Sequence, residues 1–228
     1  MLPLRDNVPT RSFPVVTVAL IAANVLVWVL YQLPDLEGSV TELAYHPCEV
    51  DNSCPTVGED WELTAFTSMF MHGGWAHLLG NMLFLWIFGN NVEDALGKVR
   101  YLLFYVVGGL AATATQTFVT LGYASEAEGM IPNVGASGAI SAVLGAYLVL
   151  LPRAMVLTVI FFVLREVPAV LFLGVWFVFQ LVDGSASLAH PEEGGGVAFF
   201  AHIGGFVFGA ATVKVFQRQR QRPLAPHY

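Results

Sequence analysis

Charge is scarce in this chain. Only 12% of its 228 residues are charged, and only 10 are Lys or Arg; a soluble domain typically carries about 25% charged residues. That shortage excludes an ordinary water-soluble enzyme, a disordered chain and a coiled coil. Cysteine is scarce too. Cys48 and Cys54 form neither a CxxC pair nor part of a Cys/His cluster at zinc spacing, so neither a metal nor a cofactor is expected. No basic patch interleaved with aromatics occurs, which argues against nucleic acid as a partner. A cleavable signal sequence is not expected either: Val15 to Leu33 is long enough to span, and Leu33-Pro34-Asp35 lacks the small residues of a cleavage site.

What the chain has is hydrophobicity: 56% hydrophobic residues and a mean hydropathy of +0.64. Lipid is therefore the solvent for most of it. A bilayer span takes about 20 apolar residues, so one membrane-embedded domain over residues 1–228 is expected, all-α, with six spans. They run from Val15 to Leu33, Gly73 to Asn91, Tyr101 to Leu121, Pro132 to Leu151, Val167 to Val182 and Val197 to Phe216. Residues 1–14 form an N-terminal segment, 34–71 a long outer loop and 217–228 a basic tail. Met155 to Leu164 is apolar but too short to span, and reads as interfacial or buried.

Charge orients the bundle. With six spans and both termini cytoplasmic, all 10 basic residues fall inside and none outside, while most of the acidic residues lie in the outer loops. This is the positive-inside pattern, and the expected location is a plasma (inner) membrane. Cys48 and Cys54 then lie on the outer face, where a disulfide is permitted. A bridge closing a small loop is expected, two free thiols being the alternative.

Polar side chains at membrane depth are costly and usually face the bundle interior. The second span carries His72, His77 and Asn81, the fourth Ser137 and Ser141, the sixth His202. These three spans run in the same direction. His77, Ser137 and His202 each lie some five residues inside, about 7–8 Å below the outer boundary. His77 and Asn81, at i and i+4, share a face. Gly205-xxx-Gly209 in span six, and Gly138-xxx-Ala142 and Ser141-xxx-Gly145 in span four, are small faces that let helices approach closely.

A serine hydroxyl needs a base to become a nucleophile, and imidazole suits that role. An acyl-transfer oxyanion needs donors; Asn81, His77 and the Ser137 amide offer them. Each feature alone has a blander reading. A single membrane serine usually bonds back to its own helix, His72 could be an interfacial anchor, and small faces are commonly plain packing. Ser, His, His and Asn at one depth on three co-oriented helices have no ready packing explanation. A metal site on His72 and His77 is disfavoured by their i, i+5 spacing and the want of a third ligand.

These residues resemble the rhomboid intramembrane serine proteases. The resemblance runs roughly from Thr67 to Gly209 and rests on His77-xxx-Asn81, Gly135-Ala-Ser-Gly138 and Ala201-His-Ile-Gly-Gly205 with Gly209. It implies the six-span bacterial form. It also implies Ser137 as nucleophile, His202 as general base, and an oxyanion hole of His77, Asn81 and the Ser137 amide. Gly135 would permit close backbone approach, and His72 would be supportive. The fifth span and the loop from about Gly184 to Gly196 would gate and cap the site. Transmembrane proteins would be the substrates, cut through an acyl-enzyme.

Two positions depart from the pattern. Many members stack an aromatic residue on the catalytic histidine, four positions after the nucleophile; Ser141 stands there. Many also carry a Trp-Arg pair before the second span; here Trp61 is followed by Glu62, and Thr64 holds the arginine's place relative to Thr67. An inactive rhomboid-like factor that binds membrane proteins is the main alternative. A small-solute transporter is the lesser one, since no repeated half is visible.

Overall fold

The computed structural model describes residues 1–189 and 198–217. The Gly194–Gly196 run and the tail's Arg218, Arg220 and Arg222 lie outside the described residues. The architecture is a helical bundle, as the hydropathy predicts, with a small sheet at one end.

The bundle contains α1 (Val15–Val27, continued through a π turn to Gln32), α4 (Trp75–Leu96), α5 (Lys98–Tyr123), α7 (Ser137–Leu150), α8 (Ala169–Ala189) and α9 (Phe199–Phe216). Four of its segments, Val15–Gln32, Lys98–Tyr123, Ala169–Leu188 and Phe199–Phe216, are long and apolar enough to cross a membrane. The other two are α7, which is interior, and α4, which is partly buried and exposes Trp75, Leu79 and Trp86. Helix α7 is buried continuously from Ala139 to Tyr147 and packs against α4, α5 and α9. It is apolar all round because protein covers it on every side. Helix α4 carries His77, Asn81, Asn90, Asn91 and Glu93, which lower its hydropathy but are largely turned inward.

Several helix boundaries differ from the hydropathy reading: α5 begins at Lys98 rather than Tyr101, α8 runs on to Ala189, past the expected Val182, and two further differences have a clear local reason. The second span was expected to stop at Asn91, before Glu93-Asp94, yet α4 runs on to Leu96. Glu93 is buried, where its carboxylate accepts the Val16 and Thr17 backbone N–H groups (3.0 and 2.8 Å) and the Thr17 hydroxyl (2.8 Å). Helix α1 has no side-chain cap of its own. Glu93, from a distant helix, satisfies its orphan donors. The fourth span was expected from Pro132, yet α7 starts at Ser137. Gly135 sits at φ +127, a region closed to other residues and incompatible with a helix. Asn133 is held extended by paired backbone bonds to Tyr45 (2.8 and 3.2 Å).

Close helix contact depends on missing side chains. A Cβ on Gly205 would strike the Gly138 carbonyl, one on Gly209 the Ala142 carbonyl, and one on Gly145 the Phe206 carbonyl. The small faces of α7 and α9 are thus pressed backbone to backbone.

The sheet was not anticipated. Met155–Leu164, expected to be interfacial or buried and given no strand in that reading, forms most of an antiparallel hairpin of β2 (Met155–Ile160) and β3 (Val163–Pro168). Its Val, Ile and Thr content suits strands. The N-terminal segment adds β1 (Leu2–Asp6) beside β2, giving the order β1-β2-β3. Asp6 ties the sheet to the bundle by accepting from Asn91 (2.7 Å) and Tyr147 (2.5 Å). This end also joins Arg11 to Asp94 through its backbone N–H (3.2 Å), and the Arg100 guanidinium to the Phe216 and Gln217 carbonyls (3.4 Å each). Arg5, Arg11, Lys98, Arg100, Arg153, Arg165 and Lys214, every basic residue among the described ones, therefore gather at one end.

The opposite end holds the long loop. It folds into α2 (Leu36–Leu43), capped where Asp35 accepts the Gly38 N–H (2.9 Å), a small loop closed by a Cys48–Cys54 disulfide, and α3 (Trp61–Thr67). A short helix, α6 (Glu126–Gly129), packs beside it.

Candidate active site

The site lies at the loop-covered end, where three helices begin. His77 is in the first turn of α4, Ser137 is the first residue of α7, and His202 is in the first turn of α9. The shared level expected from sequence thus exists, but it arises from helix starts rather than from positions deep within each helix. The loop and the end of α1 brace it from outside. The Gly135 N–H donates to the Ser68 carbonyl (2.9 Å), and Gln32 clamps the His72 backbone, accepting its N–H (2.8 Å) and donating to its carbonyl (3.0 Å).

Ser137 Oγ lies 2.8 Å from His202 Nε2. On the far side of the ring, His202 Nδ1 lies 2.6 Å from Gln180 Oε1. An amide oxygen can only accept, so Nδ1 carries the proton. Nε2 is then left with a lone pair facing the serine hydroxyl. Gln180 is on α8, as is Trp176, whose ring sits 6.1 Å from the imidazole, tilted by 39°. The pair at i, i+4 forms a shelf and a hook for His202. Neither residue was singled out from sequence. The available signal was Gln180 itself, the lone amide in an otherwise apolar span, and polar residues at that depth are costly without a partner.

Ser141, where an aromatic residue was missing, is buried, and its hydroxyl donates back to the Ser137 carbonyl (2.6 Å). It does not reach the imidazole. Trp176 supplies an aromatic contact from another helix instead.

Asn81 is buried, and its Nδ2 has no hydrogen-bond partner. His77 Nδ1 accepts the Gly73 N–H (3.3 Å), which leaves Nε2–H as its donor. That nitrogen is packed against Gly135, where a Cβ would come within 2.7 Å of it. The first N–H groups of α7 add backbone donors, since a helix start leaves them without intrahelical partners. His72 is fully buried, stacked edge-on against His77 at 5.1 Å. Gly138 and Gly205 meet at the α7–α9 contact directly beneath the serine.

A cavity of about 500 Å³ connects these groups, lined by His77, Asn81, Ser137, Trp176 and His202 among others. The site therefore offers an oriented Ser–His pair, a set of unengaged donors and room for a chain segment between them.

The rhomboid domain family matches residues 59–219. The chain is 30% identical to Rhomboid protein 1, mitochondrial, of Saccharomyces cerevisiae, over 90% of this chain and 56% of that protein. Two Bacillus subtilis proteins are each 34% identical. Putative rhomboid protease YdcA matches over 60% of this chain and 63% of its own length, and Rhomboid protease GluP over 59% and 24%. The chain therefore spans less than two thirds of each of these relatives.

Proposed function

The chain belongs to the rhomboid family, and from that premise we propose that it is an intramembrane serine endopeptidase. Its substrates are transmembrane proteins, cut in or beside their spans. The observation that carries this reading is the His202 ring held between Ser137 (2.8 Å) and Gln180 (2.6 Å) beside an open cavity.

Ser137 Oγ attacks the scissile carbonyl carbon while its proton passes to His202 Nε2. The carbonyl oxygen becomes an oxyanion, facing Asn81 Nδ2–H, His77 Nε2–H and the Ser137 N–H. The C–N bond then breaks, His202 returns the proton to the leaving amine, and an ester remains on Ser137. Water adds to the ester as His202 takes its proton. Collapse releases the carboxyl product and restores the hydroxyl. Throughout, Nδ1–H stays on Gln180, and that bond strengthens when the ring is cationic. A smaller cavity of about 40 Å³ beside Ser137, lined in part by Gln116 and Ser68, has room for water.

We place the site on the extracytoplasmic side of a plasma membrane, because the basic residues gather at the other end. The test is fluorophosphonate labelling together with cleavage of a single-span substrate in detergent. Wild type labels and cuts; Ser137→Ala and His202→Ala do neither. Labelling that survives Ser137→Ala removes the assigned nucleophile. A folded wild type that neither labels nor cuts would instead favour a binding member of the family.

A further inference from the structure

Where β2 turns into β3, the chain places two phenylalanines. Phe161 and Phe162 have φ +47 and +66, and are 92% and 101% exposed. A two-residue hairpin loop with both φ values positive is ordinarily Asn-Gly or Asp-Gly, which adopt that region with little strain. Two L-residues with bulky rings are poor choices for the turn. Their presence needs a reason other than the turn itself.

The strands behind them supply one. Leu2, Val159 and Leu164 stand in register across the three strands, and Ile160 pairs with Val163. Leu2, Val163 and Leu164 are also exposed. The next rows are charged: Arg165 opposite Thr158, then Arg5 and Glu166 flanking Leu157. The hairpin is thus apolar at its tip and charged about 10 Å back, at the strand rise of roughly 3.4 Å per residue. Interfacial segments bury apolar groups about 5–10 Å into the headgroup–acyl boundary.

The hairpin's position fits the same medium. Its base is bonded at Ala169 N–H to Ala154 carbonyl (2.7 Å). β3 then runs directly into α8, a helix long and apolar enough to cross the membrane, whose first turn exposes Val170 and Leu171. The apolar tip is therefore joined to the lipid-facing surface at the end of the bundle that carries the described basic residues. Arg153 and Arg165 lie at either side of the hairpin, suited to anionic headgroups.

We infer that the β2–β3 hairpin is a membrane-interface anchor. Phe161 and Phe162 insert into the acyl boundary of the leaflet at the basic end, with Arg165 and Arg5 at headgroup level. This is independent of the proteolytic reading.

Both native cysteines are disulfide-bonded, so a nitroxide can be placed on a single introduced cysteine. Phe162→Cys, Glu166→Cys and, as an aqueous reference, Glu126→Cys are labelled in phosphatidylcholine–phosphatidylglycerol liposomes. Spin relaxation by oxygen and by a water-soluble nickel chelate is then compared. The expected result is oxygen-dominated relaxation at 162 and nickel-dominated relaxation at 166 and 126. A label at 162 that behaves like the one at 126 overturns the inference. So does one shielded from both reagents, which would mark a protein contact. A second measurement keeps the turn intact: Phe161→Asn with Phe162→Gly favours the same loop geometry without the rings. A label on Val163→Cys should then become more nickel-accessible; if its depth is unchanged, the rings anchor nothing.

Discussion

His202 Nδ1 and Gln180 Oε1 are 2.6 Å apart although they belong to different helices. Because the amide oxygen accepts only, it selects one imidazole tautomer and one ring orientation. Gln180→Leu should fold and retain Ser137. Losing one such hydrogen bond, about 0.5–1.5 kcal/mol, lowers kcat up to roughly tenfold, with KM little changed. Gln180→Glu restores an acceptor and recovers activity. Its carboxylate also favours the imidazolium, so the acid limb of the kcat profile moves to higher pH. A purely structural glutamine would produce no such displacement.

Asn81 presents a buried amide nitrogen without a partner. A donor held in reserve for an oxyanion is costly in the resting protein and valuable only in the transition state. Asn81→Ala should lower kcat by about 10²–10³ while leaving the thermal midpoint unchanged or slightly raised. Loss of stability in parallel with activity would assign the amide to packing instead.

The α7–α9 contact predicts a contrast between two glycines. Gly209→Ala would place a methyl on the Ala142 carbonyl, costing about 1–3 kcal/mol through overpacking. It would also part the helices that carry Ser137 and His202, so fluorophosphonate labelling falls with the melting temperature. A Cβ at Gly174 on α8 meets nothing within 4 Å. Gly174→Ala should therefore be neutral or stabilise by roughly 0.5–1 kcal/mol.

In the outer loop, burial pushes the His46 imidazole below its ordinary range, opposed by Glu49 with its carboxylate 3.6 Å away. The folded loop thus holds His46 neutral, while the unfolded chain binds a proton near pH 6.5. Stability from this residue is present above that pH and is lost as pH falls below it. Lowering pH from about 7.5 to about 5 should increase proteolysis within residues 34–71. His46→Gln should flatten that dependence; an unchanged slope would place its origin elsewhere.

Much of the bundle was legible because hydropathy is a property of contiguous residues. Candidate site residues could be aligned because membrane depth gives separate helices a common coordinate. What escaped depends on long-range partners. Nothing near Glu93 says that it caps a helix 76 residues earlier. Gly135 stood out in its motif, but that it delays the start of α7 shows only once Tyr45 and Asn133 are seen to hold the preceding chain extended. The sheet depends on a five-residue strand at the N-terminus too short to carry its own signal. Gln180 was visible as an isolated polar residue, but its partner was visible only in three dimensions.

Gln180 and Trp176 ride on α8, whereas the imidazole they hold rides on α9. Any displacement of α8 that widens the cavity would also unhook the base, leaving it free to rotate away from the hydroxyl. On the proteolytic reading, readiness to react is thereby conditional on that helix being home: an empty, ajar site would be chemically idle, and only re-closure around a guest would rearm it.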